Sequence, residues 1–257
     1  MYSGAPAGLQ TFYGECESTG DGMTTLQTER HHGYQARDDA LAMLTTPAQL
    51  DHIATLATGA VDALRATACL QPRTCRHVLA DLTRDPGWQR EYWRFTNGDQ
   101  VAPTSAEDFS SAAPVQRFSQ NDCLRRPTSN TWALRGFLSA ITSAQVEQAF
   151  SHAYGRAVRF KSADMARYRR GDYLRRHADL FDGRCFGLVW ILGSGWRPGY
   201  GGELVTEAET GAAQVIAPTQ GTVALLGFGP DRYHHVAQVQ VDGWERYSVA
   251  THFALAT

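Results

Sequence analysis

The sequence predicts an α+β protein that is mainly β, with helices first and a jelly-roll core behind them. Two observations lead to this prediction. Between residues 46 and 154, apolar side chains recur at three- and four-residue steps, as on one face of a helix. From Ala157 onward, short apolar stretches alternate with Gly, Pro and Asp at intervals of about ten residues, which is typical of a β-sandwich or barrel.

The N-terminal part begins with residues 1–30, whose Gly, Ser, Thr and Glu content predicts an irregular lead-in. A helix is predicted over residues 46–68, with Thr46 as the N-cap and Pro47 at the first helical position. Further helices are predicted over 75–81, 134–140 and 143–154. Residues 88–95 fit a strand or a short helix, and residues 96–113 a polar loop. We expect the helices to cover one face of a sheet.

The C-terminal part contains eight short apolar stretches that predict strands. The candidate strands are 157–161, 164–169, 185–192, 203–206, 213–217, 221–227, 234–241 and 245–254. Eight strands after a helical region fit a jelly roll.

Composition limits the classes of function. The chain has 257 residues, 43% hydrophobic and 19% charged, which is ordinary for a globular protein. Its formal net charge of −2 gives no general attraction to nucleic acid or anionic membranes. No apolar run is long enough to span a membrane, and the N-terminus lacks a signal-peptide pattern. We expect a cytoplasmic protein with no nucleic-acid or membrane partner; its oligomeric state is open.

Cysteines and isolated histidines give no metal signal. The five cysteines (Cys16, Cys69, Cys75, Cys123 and Cys185) are odd in number and lack CxxC spacing, so neither a disulfide framework nor a zinc site is indicated. His31 and His32 have no partner at helix or strand spacing, which favours a solvated pair. Lys161 is the only lysine, so a buried anion has to be bound by arginine.

The strongest chemical signal lies in residues 168–179, which end in His177-x-Asp179. Residues i and i+2 of a strand face the same side, so both side chains can reach one metal ion. Residues 233–236 (Tyr-His-His-Val) and then Arg246-x-Ser follow later. Two histidines and one carboxylate with open coordination positions are typical of non-haem Fe(II) oxygenases. A lone His-x-Asp fits a surface histidine equally well; the ordered set of motifs favours the metal site.

In this order of motifs the chain resembles the Fe(II)- and 2-oxoglutarate-dependent dioxygenases, specifically the prolyl-4-hydroxylase-like branch. Residues 182–185 (Asp-Gly-Arg-Cys) resemble the hypoxia-factor prolyl hydroxylases, and residues 195–204 resemble the W-x-P-x-x-G-G-x-L turn of bacterial and fungal members. The resemblance covers residues 130–255. It implies a double-stranded β-helix core over 126–257, with residues 1–125 as a helical or irregular extension packed on it.

The resemblance implies a set of iron ligands, namely His177, Asp179 and His234. Adjacent strand residues face opposite sides, so only one of His234 and His235 can bind the metal. The family pattern places the ligand two residues before Val236, which selects His234.

The resemblance also implies a site for 2-oxoglutarate. Arg246 would hold the distal carboxylate through its bidentate guanidinium, and Ser248 would add a hydroxyl donor. Tyr168 matches the family tyrosine that helps to hold the cosubstrate, with a core tyrosine as the alternative. A two-residue turn at Asp242-Gly243 would turn Arg246 away from the metal. We therefore expect a three-residue loop over 241–243 with Gly243 left-handed, or a bulge.

Two departures from the family pattern concern residues near the metal. Many relatives have tyrosine near the end of strand 185–192, where this chain has Trp190-Ile191-Leu192. His252 stands where some relatives have an aromatic residue; it fits either a group behind the ligands or a packed histidine, and we favour the latter. Trp190, Trp196 and Tyr200 could line the entrance.

The resemblance implies the cofactors Fe(II), 2-oxoglutarate and O2, with ascorbate as a candidate reductant. The expected reaction hydroxylates an unactivated C–H of an amino acid, peptide or natural product and yields succinate and CO2. Related halogenases lack the carboxylate ligand, so Asp179 favours hydroxylation. Alternatives are protein prolyl hydroxylation, desaturation or ring closure, and a non-catalytic cupin-like metal-binding module. An arginine cluster forms either a cationic substrate rim or a solvated face: Arg167, Arg169, Arg170, Arg175, Arg176 and Arg184.

Overall fold

The computed structural model describes residues 21–59, 63–65, 70–97, 100–208 and 213–256. Residues 1–20, with Cys16, and Cys69 lie outside this part of the chain, so the predictions on them are not tested. The helices within it are α1 (Asp21–Leu44), α2 (Pro47–Thr58), α3 (Pro72–Arg84), α4 (Ala106–Ser111), α5 (Trp132–Ile141) and α6 (Ala144–Tyr154). None of these helices is long and apolar enough to cross a bilayer.

Helix α1 occupies residues that were expected to be irregular up to residue 30. It packs across α5 at a pair of glycines: a Cβ on Gly136 would lie 1.9 Å from the carbonyl oxygen of Gly33. The crossing is made by glycines, which add no apolar side chain to a helical pattern. The periodicity of the sequence therefore gives little sign of it. The solvated pair expected at His31-His32 is wrong for His32, whose ring lies 3.7 Å from that of His77 on α3.

The caps decide where helix α2 begins and ends. The Thr46 hydroxyl accepts a hydrogen bond from the backbone N–H of Gln49 at 3.3 Å, as predicted. The helix ends at Gly59, which adopts φ 75°, well before residue 68. Ser143 caps α6 in the same way by accepting from Val146 N–H at 3.3 Å.

The described strands are β1 (Ala63–Arg65), β2 (Gln89–Phe95), β3 (Val101–Thr104), β4 (Arg117–Leu124), β5 (Val158–Tyr168), β6 (Tyr173–His177), β7 (Arg184–Ile191), β8 (Leu204–Ala208), β9 (Gln214–Ile216), β10 (Val223–Gly227), β11 (Arg232–Val236) and β12 (Arg246–Leu255). Several differ from the prediction. The stretches 157–161 and 164–169 are one strand, β5, and the predicted loop 96–113 contains β3 and α4. Strand β4 escaped prediction because buried polar residues, including Ser119 and Asp122, interrupt its apolar alternation.

The strands form an antiparallel sheet in the order β1-β10-β7-β12-β5-β4-β6-β11-β8-β9, with β2 pairing to β4 and β3. Strand β4 pairs with both β5 and β6 and so joins the two halves. An inner cluster between the halves combines Leu226 and Tyr168 from one half with Leu204 and Val236 from the other. The predicted fold class is confirmed as a mainly β jelly roll with supporting helices. The boundary between residues 125 and 126 stays a prediction; β1 and β4, from before it, pair with core strands.

The helices cover the outer face of the half formed by β10, β7, β12 and β5. Phe137 of α5 meets the Trp190 ring edge-on at 4.9 Å, and Phe150 of α6 meets Phe253 at 5.1 Å. This burial keeps one side of the sheet away from water. Trp190 is 1% exposed in this core, so its predicted place at the site entrance is wrong.

Strands β11 and β12 do not form the hairpin that the predicted 241–243 loop requires. Strand β11 pairs with β6 and β8 in one half, whereas β12 pairs with β5 and β7 in the other. The chain between them crosses the end of the jelly roll, where Val239 N–H donates to the Asp172 carbonyl at 3.0 Å. Gly243 does adopt the left-handed conformation, with φ 76°. The direction in which the Arg246 side chain points is therefore determined by the pairing of β12 with β5 and β7, and not by a turn.

Candidate active site

Two paired strands bring the first two site residues together. His177 at the end of β6 lies directly opposite His234 in β11, with ring centroids 4.2 Å apart. The next paired residues are Leu174 in β6 and Val236 in β11. Leu174 is three residues from His177, whereas Val236 is two residues from His234, so β6 contains one extra residue. This bulge places Leu174 and His177 on the same inner face, although three residues apart would face opposite ways in a regular strand.

Asp179 reaches the histidines from the segment that follows β6, not from the strand. The expected i, i+2 strand geometry is therefore wrong, although the side chain does arrive at the same place. Its Oδ1 lies 3.7 Å from His177 Nε2 and its Oδ2 lies 3.5 Å from His234 Nε2. The ligand atoms of the three residues lie within 4.8 Å of one another. Two imidazoles, one carboxylate and open positions are a donor set that suits Fe(II).

Both histidines present Nε2 to this cluster in a form that can bind metal. His177 Nδ1 lies 2.8 Å from the Arg175 carbonyl, so Nδ1–H donates a hydrogen bond to that oxygen and Nε2 keeps its lone pair available. Burial lowers the pKa of His234 to about 3, so its ring is neutral near pH 7, as a ligand must be. Burial opposes ionisation of Asp179, but the His252 hydrogen bond and the neighbouring imidazoles outweigh it and hold its pKa well below the usual range.

His235 faces away from the cluster. Its Nδ1 lies 3.6 Å from Glu207 Oε1, on the outer side of the same sheet half. This separation follows from the alternation of strand side chains. Of the two adjacent histidines, His234 is the one that the fold places with His177 and Asp179.

Arg246 is a buried cation that has no carboxylate partner among the described residues. It is 1% exposed, its Nη1 donates to Ser248 Oγ at 2.7 Å, and its guanidinium lies 5.2 Å from the Tyr168 ring. Its Nε and Nη2 are buried and make no hydrogen bond within the described chain. Burial lowers the pKa of this guanidinium, since nothing anionic offsets the lost hydration. The Nε–Nη2 edge is a ready bidentate site for a carboxylate, which is what 2-oxoglutarate would bring.

Tyr168 is the Cα partner of Arg246 across β5 and β12 and belongs to the inner cluster. Burial raises the pKa of its phenol. The structure therefore shows Tyr168 as a core tyrosine next to the Arg246 guanidinium, and its role in holding a cosubstrate stays a prediction.

The Gly201-Gly202 turn packs directly against Arg246. A Cβ on Gly202 would lie 3.0 Å from the Trp244 ring and 3.3 Å from Arg246 Cδ, and Gly202 has φ 75°. Trp244 Nε1 donates to the Ser194 carbonyl at 2.9 Å, which holds the ring there. The sequence offered no signal for Trp244, because its contact with Gly202 spans more than forty residues of the chain.

His252 lies against the metal cluster as well as in the core. Its Nε2 is 3.4 Å from Asp179 Oδ2, and its Nδ1 is 3.1 Å from Ser162 Oγ. The structure therefore places His252 behind the candidate ligands, the alternative that the sequence favoured less. Ser162, the strand partner of His252, is a second site residue that the sequence analysis missed.

Most of the arginine cluster is neutralised by carboxylates. The pairs are Arg167 and Arg169 with Asp122 at 2.6 and 3.0 Å, Arg170 with Asp242 at 2.6 Å, and Arg176 with Glu207 at 2.7 Å. Arg175 donates to the Pro114 carbonyl, and Arg184 lies 3.6 Å from Asp179 with its Nε buried and unpaired among the described residues. Of the cationic rim only Arg175 therefore lies without a carboxylate partner among the described residues.

The expected entrance residues other than Trp190 lie beside Trp244. Tyr200 meets the Trp244 ring at 5.9 Å, and Trp196 Nε1 donates to the Gly201 carbonyl at 3.0 Å. Both pack partly buried against the inner cluster, on the side of Arg246.

Residues 163–254 match the family model of the 2OG-Fe(II) oxygenase superfamily. This stretch of the chain is therefore similar to the 2OG-Fe(II) oxygenases. The matched stretch contains the three residues of the metal cluster and Arg246. This family consists of oxidoreductases that use Fe(II), 2-oxoglutarate and O2, and the His-Asp-His cluster fits the iron.

Solved structures of the 2OG-Fe(II) oxygenase family share the fold. An oxidoreductase from Burkholderia pseudomallei matches with TM-score 0.54 and 16% identity, over 81% of this chain and 92% of that one. A prolyl hydroxylase from Trichoplax adhaerens, in complex with a hypoxia-inducible-factor peptide, matches with TM-score 0.55 and 15% identity, over 90% and 92%. The epimerase SnoN of nogalamycin biosynthesis matches with TM-score 0.53 and 12% identity, over 82% and 85%. No curated protein sequence matches this chain significantly.

Proposed function

We propose that this protein is an Fe(II)- and 2-oxoglutarate-dependent dioxygenase that hydroxylates an unactivated C–H of an amino acid, a peptide or a natural product. The decarboxylation of 2-oxoglutarate to succinate and CO2 would accompany the hydroxylation. One observation carries the proposal: the His177–Asp179–His234 cluster and the Arg246 edge, which is unpaired among the described residues, both contact the inner cluster of one jelly roll. His234 stacks on Phe228 at 6.1 Å, and the Arg246 guanidinium lies 5.2 Å from the Tyr168 ring. A metal-binding module has no need of such an arginine.

Each residue has a role that follows from its position. His177 and His234 offer Nε2 and Asp179 offers a carboxylate to the metal. Arg246 would receive the distal carboxylate of 2-oxoglutarate on Nε and Nη2, while Ser248 holds Nη1. The bound iron supplies the activation of O2. The apolar inner cluster keeps water from the site and strengthens the attraction between Arg246 and the carboxylate.

The surroundings of Asp179 support a substrate that is partly apolar. Leu180 and Phe181 follow Asp179 directly and are 49% and 51% exposed. The Arg184 guanidinium stacks on the Phe181 ring at 4.0 Å. A substrate with an apolar group and a carbonyl or carboxylate, such as an amino acid or peptide, would satisfy these groups. We also propose that the protein acts in the cytoplasm and not on nucleic acid; its net charge of −2 supports the second part of this proposal.

Protein prolyl hydroxylation is the second candidate. It is supported by the Asp-Gly-Arg-Cys segment at residues 182–185 and by the fold shared with the Trichoplax adhaerens prolyl hydroxylase. The likeness to the epimerase SnoN keeps other oxidative outcomes, such as desaturation or ring closure, as variants of the same proposal.

The test is succinate formation by the purified protein. Anaerobically loaded Fe(II), 2-oxoglutarate and air are supplied to wild type, His177→Ala and Arg246→Ala, with the exposed His152→Ala as the matched control. We expect slow turnover in wild type and in the control. Turnover should fall to background in His177→Ala, which loses a metal ligand, and in Arg246→Ala, which loses the carboxylate site. Absence of wild-type turnover together with absence of 2-oxoglutarate binding by calorimetry would refute the proposal.

A further inference from the structure

A closed ring of polar contacts lies behind the metal cluster. Asp179 Oδ2 is 3.4 Å from His252 Nε2, and His252 Nδ1 is 3.1 Å from Ser162 Oγ. Arg184 Nη2 donates to Ser162 Oγ at 3.1 Å, and Arg184 Nη1 returns to Asp179 Oδ1 at 3.6 Å. Each oxygen of the Asp179 carboxylate therefore faces one candidate ligand histidine and one supporting donor.

The strands hold His252 in this orientation. Its Cα partners are Ser162 on β5 and Gly187 on β7. A Cβ on Gly187 would lie 2.8 Å from the Phe228 ring, so the absent side chain makes room for Phe228, whose ring lies 5.9 Å from that of His252. The imidazole is thus confined between Phe228 and the Ser162 hydroxyl.

The hydrogen-bond directions determine which nitrogen of His252 carries the proton. The ionised Asp179 carboxylate can only accept, so His252 Nε2, which faces Asp179 Oδ2, carries the proton of the neutral ring. The other nitrogen, Nδ1, then accepts from the Ser162 hydroxyl, whose oxygen in turn accepts from Arg184 Nη2. Asp164 Oδ2 also lies 3.4 Å from Nδ1, but Asp164 is 45% exposed and farther away than Ser162.

We propose that His252 is a positioning residue that orients the Asp179 carboxylate for the metal, and that Ser162 and Arg184 support this tautomer of His252. This inference rests on the proposed function, because it takes Asp179 as a metal ligand. Donors that fix a ligating carboxylate change metal affinity by about 10- to 100-fold when removed.

The test measures Co2+ binding by calorimetry and the visible absorption of the bound Co2+, with no turnover involved. His252→Phe keeps the size of the ring but removes the donor, and we expect affinity to fall about 10- to 100-fold with an altered spectrum. His252→Gln can place an amide N–H near the Nε2 position, and we expect affinity close to wild type. The outward-facing neighbour gives the matched control, His235→Phe, which should leave the affinity and the spectrum unchanged.

The outcomes separate this inference from the proposed function. Wild-type affinity and spectrum in His252→Phe would overturn the positioning role. Equal losses of Co2+ affinity in His252→Phe and His252→Gln, with unchanged thermal unfolding, would also overturn it. An N–H donor near the Nε2 position would then not be what binding requires. Wild type that binds Co2+ no better than His177→Ala would instead sink the metal site. Should His252→Phe fail to fold, Ser162→Ala carries the test, with a smaller loss in the same direction expected.

Discussion

At the scale of single residues, the site depends on the hydrogen bonds that two buried charged side chains make or lack. Arg246 presents Nε and Nη2 to the interior with no acceptor in the described chain, and Asp179 has a donor or an imidazole near each oxygen. An unpaired buried guanidinium costs free energy that an anionic ligand would recover. The free energy that burial of this guanidinium costs therefore contributes to its affinity for a carboxylate.

Gly202→Ala is predicted to weaken 2-oxoglutarate binding. The new Cβ would press on the Trp244 ring and on Arg246 Cδ at 3.0 and 3.3 Å, in a backbone conformation with positive φ. Overpacking costs about 1–3 kcal/mol, and we expect the dissociation constant measured by calorimetry to rise about tenfold, which is about 1.4 kcal/mol.

Gly199→Ala is the matched control for Gly202→Ala. Gly199 also has a positive φ, of 89°, but a Cβ there meets no atom of the described chain within 4 Å. The control therefore carries the backbone strain without the crowding of Arg246. Equal loss of 2-oxoglutarate binding in both variants would show that strain in the turn, and not contact with Arg246, is responsible.

At the scale of elements, a bulge and a helix crossing position the site. One extra residue in β6 turns His177 inward beside His234, and the outer face of the neighbouring sheet half is closed by α5 and α6. Helix α1 in turn packs on α5 through the Gly33–Gly136 crossing. The sheet that carries the site therefore packs against helices whose close spacing requires glycine at both Gly33 and Gly136.

Gly136→Ala is predicted to destabilise the protein, although alanine is the better helix former by about 1 kcal/mol. Its Cβ would meet the Gly33 carbonyl oxygen at 1.9 Å, so the helices must separate. We expect the free energy of unfolding in urea to fall by about 1–3 kcal/mol, as for other overpacked contacts. Ser139→Ala, at an exposed position of the same helix, should change it by less than about 0.5 kcal/mol. A stabilised Gly136→Ala variant would contradict the observed crossing.

At the scale of the whole molecule, a buried ion-pair network joins the β2 hairpin to the turn between β5 and β6. Asp172 is fully buried and receives both ends of the Arg90 guanidinium as well as the Arg169 backbone N–H at 2.9 Å. Arg90 also reaches Asp122 at 3.4 Å. The network fixes the chain just before β6, and so supports the strand that carries His177.

Asp172→Asn is predicted to destabilise the protein strongly, because Arg90 would keep its charge without its main partner. Breaking a fully buried pair costs about 3–5 kcal/mol; Arg90 is 30% exposed, so we expect about 2–3 kcal/mol in urea unfolding. Asp242→Asn removes the partner of Arg170 in a pair whose side chains are 63% and 77% exposed. That control should cost less than about 1 kcal/mol. Similar losses in the two variants would argue against a special role for the buried network.

The sequence by itself determined the jelly roll, the oxygenase resemblance and the residue types of the candidate site, because strand alternation, turn residues and short motifs are local properties. Only the tertiary structure decided how these parts meet. It brings Asp179 in from beyond β6, turns His177 inward with a bulge, separates β11 from β12, and sets Trp244 and His252 beside Arg246 and Asp179. These contacts join residues far apart in the chain, and neither periodicity nor spacing along the sequence specifies which strand, in which register, lies opposite.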